Sequence, residues 1–103
     1  MKLQERAEAD GATVIHVAGE VDMDTHLALE EAIVEVVRSG GGPVVVDLAD
    51  VSFLDSSGVR ALLMGRQEAL AHQTAVTVRN PQRLVREVLR LTEVAPLLGL
   101  AAP

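Results

Sequence analysis

The run Val44-Val45-Val46-Asp47-Leu48 and the residues after it constrain this chain most. Three consecutive valines leave no polar alternation. A strand made of them is apolar on both faces and belongs in the middle of a sheet covered on at least one side by helices. Val51-Ser52-Phe53-Leu54 then leads into Asp55-Ser56-Ser57-Gly58, read as a loop, and a helical pattern runs from about Ser57 to His72. Asp and Ser suit a helix N-terminus because their oxygens accept bonds from backbone N–H groups that lack a partner. The same N–H groups and the helix dipole favour a phosphate there. A serine at this junction is therefore a cap or a switch.

The rest of the chain builds around that strand. Lys2 to Ala9 reads as an edge strand, Asp10-Gly11 as a two-residue hairpin turn, and Ala12 to Ala18 as a second strand. Gly19-Glu20-Val21-Asp22 breaks the pattern as a strand end and turn, with Glu20 and Asp22 available as a surface acidic contact. Asp24 or Thr25 is positioned to cap a helix from His26 to Arg38, which buries Leu29, Ala32, Ile33, Val36 and Val37. Gly40-Gly41-Gly42-Pro43 stops it. The helix after Ser56 has Val59, Leu62, Leu63 and Leu70 as its stripe, and Gly65 inside it points to close packing or simple tolerance. Thr74 to Val78 is a fourth strand. Asn80-Pro81 opens a third helix with Leu84, Val85, Val88 and Leu91 on one face, and Leu97 to Leu100 is too brief a pattern to decide between a last strand and none. Strands separated by helices after an opening hairpin give a mixed α/β sheet in one domain, residues 1–103.

Composition excludes several functions. Nine basic residues stand against fifteen acidic ones, a net charge of −6, which repels nucleic acid and anionic lipid. One Phe is the whole aromatic complement, too little to stack bases. There is no cysteine, hence no disulfide, thiol catalysis or Cys-based metal site. The start, Met1 to Arg6, has no apolar signal core, and no stretch approaches the ~18 apolar residues of a membrane span. A soluble cytoplasmic protein is the expectation.

No phosphate-binding glycine loop or dinucleotide fingerprint is present, so no cofactor is expected. His16, His26 and His72 lie on separate elements, His16 on a strand face and the others on helix surfaces, without metal-ligand spacing. The Gly-x-Ser-x-Gly elbow is missing around Ser56 and Ser57. Asp22, Asp47 and Asp55 are better read as a turn, a strand end and a cap than as paired carboxylates or magnesium ligands. Nothing supports an enzyme. A phosphate on Ser56 would add ~1.5–2 negative charges and three acceptor oxygens. The helix terminus tolerates that charge, while Asp55 and a partner packed over the junction do not.

These residues resemble the STAS domain family, and within it the anti-sigma factor antagonists. The likeness rests on Gly19-Glu20-Val21-Asp22 with Thr25, on Val44 through Val59 with its Asp55-Ser56-Ser57-Gly58, and on Asn80-Pro81 with Leu84, Val88, Leu91 and Thr92. The resemblance implies a STAS-like mixed sheet of four or five strands with helices packed on one face. It implies a partner, an anti-sigma factor that is itself a serine kinase, and a phosphatase that acts on the phosphoserine form. Ser56 is then the phosphorylated residue, Asp55 its acidic neighbour and Ser57 a structural serine. Glu20, Asp22 and Thr25 form the second partner-facing loop. No direct nucleic acid or membrane contact is implied, and the chain is expected as a monomer or weak dimer through its first strand. The short tail from Gly99 to Pro103 leaves no room for the last helix many members carry. A second reading keeps the fold but makes it a docking subunit of a lipid-transport or stress-signalling assembly, with Ser56 only a cap.

Overall fold

The computed structural model describes residues 1–100. Its elements are β1 (Lys2–Ala7), β2 (Thr13–Val21), α1 (His26–Arg38), β3 (Val44–Leu54), α2 (Ser56–Ala71), β4 (Val76–Arg79) and α3 (Arg83–Leu91), followed by a 3₁₀ turn, Pro96–Leu98. The strands form one sheet in the order β1-β2-β3-β4. β1 is antiparallel to β2, and the other pairs are parallel. The doubly apolar β3 is an interior strand, as its valines require.

Register explains the two faces. Ile15 pairs with Val46 and Val46 with Val78, and these side chains share the face that the helices cover. Leu29, Ile33, Val36 and Val37 of α1, Leu62 and Ala69 of α2, and Val85 and Leu89 of α3 complete one core. One residue along, His16 pairs with Asp47 and Asp47 with Arg79, which puts a polar row on the opposite face.

Several expectations are corrected. Asp10 and Gly11 sit at the hairpin tip, but the turn is wider than two residues. Glu8 N–H donates to the Ala12 carbonyl at 2.8 Å, Gly11 N–H donates to the Glu8 carbonyl, and Asp10 Oδ1 accepts from Ala12 N–H. β1 therefore ends at Ala7. β2 runs on to Val21 and β3 to Leu54, because each supplies the other's ladder. Irregularities at His16/Ala18 and Gly19/Glu20 absorb the break in pattern. Asp47 accordingly lies inside β3 and is buried rather than ending it. β4 starts two residues late. The choice left open at Leu97–Leu100 falls to no strand: Pro96–Leu98 is a 3₁₀ turn, and the sheet has four strands. Ala101 to Pro103, where the expectation of a missing final helix partly falls, lie outside the described residues.

The helix faces differ too. Pro81 precedes the Gln82 cap position instead of sitting in the first turn of α3. Val85 and Leu89 are the buried residues of that helix, whereas Leu84 and Leu91 are exposed. Leu70 of α2 is also exposed, and Ala61, Gly65 and Ala69 take inner positions. The small residues are needed because α1 approaches closely. A Cβ on Gly65 would lie 2.6 Å from Ile33 Cγ2, closer than such atoms can come. Close packing, not tolerance, explains Gly65. His26 is half-buried, with Nδ1 out of solvent and unpartnered among the described residues, so it is not a plain surface residue.

Candidate partner-binding site

β2 and β3 are parallel and end together, with Val21 opposite Leu54. Their outgoing connections therefore leave the sheet side by side, at the carboxyl end where open α/β sheets place their sites. Asp55 N–H donates to the Val21 carbonyl at 3.2 Å and ties one connection to the other.

There is no loop between β3 and α2. Asp55 alone turns the chain, with φ −105° and ψ −169°, and α2 begins at Ser56. Its carboxylate accepts the N–H of Ser57 at 2.9 Å and of Gly58 at 3.2 Å. Two of the otherwise unpaired donors of the helix are thereby satisfied. Gly58 is buried. A Cβ there would come within 2.7 Å of Leu54 Cγ and 3.0 Å of Val21 Cγ1, so the helix can start this near the strands only with glycine.

Ser56 is exposed, and Ser57 is half-buried. No side chain among the described residues bonds the Ser56 hydroxyl. Because Asp55 already occupies the first amides, a phosphate on Ser56 would compete with a carboxylate for them. Its charge would be displayed outward instead of being absorbed by the helix end.

The second connection is braced from inside. Asp22 Oδ1 accepts from Asp24 N–H, Thr25 N–H and the Thr25 hydroxyl. The Thr25 hydroxyl also reaches the Glu20 carbonyl at 2.8 Å, and it accepts Asp22 N–H. Thr25 occupies the cap position of α1 but makes no capping bond, since its hydroxyl is spent on the turn behind it. The expected capping by Asp24 or Thr25 side chains is thus absent. Asp22 and Thr25 shape the loop, and Glu20 is exposed near the end of β2, just before it.

The seven expected residues, Glu20, Asp22, Thr25, Asp55, Ser56, Ser57 and Gly58, lie at the carboxyl ends of β2 and β3 or just beyond them. Ser56 and Glu20 are the two that present free, exposed polar side chains. Pattern reading missed the apolar surroundings: Met23 is 77% exposed and Leu27 56%, both flanking the second connection. Their only signal was a position outside the α1 stripe.

Asp47, Asp22 and Asp55 are held by different partners and do not form a carboxylate group. Among the described residues no cluster of three or more His, Asp or Glu side chains could hold a metal ion. Asp47 belongs to the open sheet face, where Arg79 Nε donates to it at 3.2 Å and Arg79 also reaches Glu8 at 3.1 Å. His16 Nε2 lies 2.7 Å from Asp50. Burial alone would raise the Asp47 carboxyl, but the Ala49 amide, then Arg79 and His16, outweigh it and hold it below the ordinary aspartate range. A groove of about 650 Å³ lies elsewhere, between α1 and α2 around Glu31, Glu35, Met64 and Glu68.

A family model described as "Mlab, STAS domain" matches residues 5–99. This chain belongs to the STAS domain family. The STAS domain is 45% identical over 56 residues to the anti-sigma-F factor antagonist RsfB of Mycobacterium tuberculosis, a match covering 54% of this chain and 46% of the relative. It thus spans about half the length of that curated protein. It resembles a crystal structure of an anti-sigma factor antagonist from Mycobacterium paratuberculosis, with TM-score 0.78 and 34% identity, over 99% of this chain and 86% of that one. The unphosphorylated anti-sigma factor antagonist SpoIIAA shares the fold at TM-score 0.81 and 24% identity, over 98% and 89% of the two chains. The mixed sheet of the STAS domain, with four strands, lies within the four or five that the sequence pointed to. No helix among the described residues is long and apolar enough to cross a membrane.

Proposed function

We propose that this STAS domain is an anti-sigma factor antagonist. It binds a serine-kinase anti-sigma factor at the ends of β2 and β3, frees the sigma factor, and is switched off when that kinase phosphorylates Ser56. A phosphatase restores the binding form. The observation that carries the reading is the exposed Ser56 at the first position of α2, with Asp55 already holding the amides behind it. The relatives named as anti-sigma factor antagonists support it.

The mechanism follows from charge and geometry. The unmodified serine is small and neutral, so a partner can close over it. The phosphoserine adds ~1.5–2 charges directly after Asp55, whose carboxylate already holds the helix-end amides. A loss of about 1.4 kcal/mol is tenfold in affinity, so release requires no unfolding.

Calorimetric titration of the kinase-type anti-sigma factor against three forms tests this. Ser56→Ala should bind like the wild type, and Ser56→Asp at least about tenfold more weakly. Equal affinity for all three would leave the docking-subunit reading, in which Ser56 is only part of a helix start.

A further inference from the structure

The groove of about 650 Å³ between α1 and α2 has an apolar floor and an acidic border. Val34 and Met64, both half-buried, supply the apolar part. Glu30, Glu31, Glu35 and Glu68 line it beside them, and Arg38 is the one cation of the lining among the described residues. Acidic residues on a helix are ordinarily a solvated face, and here they border apolar surface instead.

That cation is already engaged. Arg38 Nε donates to Glu68 Oε1 at 2.8 Å. Glu30, Glu31 and Glu35 join no ion pair among the described residues. Glu31 and Glu35 stand one turn apart on α1, a like-charge pair that weakens a helix. Glu35 also lies toward the C-terminal end of α1, where the helix dipole disfavours a negative charge. α2 adds to that field. β2 and β3 are parallel and each helix returns from one of them, so the two helices point their negative ends the same way. The groove is thus electrostatically matched to a cation from outside the chain.

We infer that this groove docks a basic amphipathic helix of a protein partner. Val34 and Met64 take its apolar residues, spaced i, i+3, i+4 and i+7, and its lysines or arginines meet Glu30, Glu31 and Glu35. The unbranched thioether of Met64 adapts to such an occupant. Along α1 the groove runs from Glu30 to Ser39, about 14 Å at about 1.5 Å per residue, which is room for about two to three turns of helix. Met64 lies roughly 12 Å along α2 from Ser56. The surface is separate from the serine, and the inference does not rest on the proposed function.

The test is a nuclear magnetic resonance titration of the 103-residue chain with synthetic helical peptides at fixed salt. One peptide has leucines at those spacings and lysines on its flanks. A second has glutamates for the lysines, and a third keeps the lysines but has serines for the leucines. The first should shift the Val34 and Met64 methyl signals and bind at least about tenfold tighter than either of the others. Glu31→Lys with Glu35→Lys, both at exposed positions, should remove the preference for the lysine peptide over the glutamate peptide. Glu5→Lys with Glu93→Lys makes the same change in net charge away from the groove and should preserve that preference. No groove shift, tight binding of the glutamate peptide, or equal binding of the serine peptide overturns the inference. So does an equal loss of affinity in the two charge-reversed pairs, which would show attraction to the −6 chain as a whole.

Discussion

Asp55 Oδ1 lies 2.9 Å from the Ser57 nitrogen and accepts its N–H, while the neighbouring Ser56 side chain stands free in solvent. One residue thus closes the helix end and the next is left available. Asp55→Ala should lower stability by about 0.5–2 kcal/mol in urea unfolding, and Asp55→Asn by clearly less, since an amide oxygen also accepts at a cap. Equal losses for the two variants would show that the charge, not the acceptor, matters at this position.

Gly65→Ala sets two effects against each other. Alanine gains about 1 kcal/mol over glycine inside a helix. The added methyl would meet Ile33 Cγ2 at 2.6 Å, and overpacking costs about 1–3 kcal/mol. The account expects a net loss of about 1 kcal/mol. A stabilised variant would mean that α1 and α2 can separate freely, contrary to the packing described.

The pH dependence is read from Asp47. Its folded carboxyl is held below the ordinary aspartate range, so the unfolded chain takes up its proton first as pH falls. Its stabilising contribution is therefore present above about pH 4 and is lost as pH falls through the folded value. In Arg79→Ala the Asp47 midpoint, followed by carboxyl carbon resonance, should move up. The stability gap between that variant and wild type should narrow as pH falls through the lowered folded value. A midpoint unmoved by the substitution would show that Arg79 is not what holds the carboxylate ionised.

What was legible in the sequence depended on how local the cause was. α1 was bounded correctly from its stripe and the glycine run behind it. The Asp55-Ser56 junction was legible because cap chemistry is decided within three residues. The far halves of β2 and β3 were not. Glu20, Ser52 and Phe53 face away from the core, so the apolar run breaks while the ladder continues. In α3, Leu84 and Leu91 imitate a core stripe at seven-residue spacing. The helix instead docks through Val85 and Leu89, and only tertiary packing makes that choice. Leu70 failed for the same reason, as the short distance between α1 and α2 admits alanine and glycine there. Exposure of Met23, Leu27 and Phe53 likewise depends on neighbours distant in sequence.

The central claim is that Ser56 carries the phosphate. The most direct measurement is intact-mass and peptide mass spectrometry of the protein after incubation with ATP and extract of its source cells, beside Ser56→Ala. The account predicts one added phosphate on the peptide containing Asp55-Ser56-Ser57, absent from the variant. No phosphate on that peptide, with the extract shown active on another substrate, or a phosphate that persists in Ser56→Ala, would contradict it.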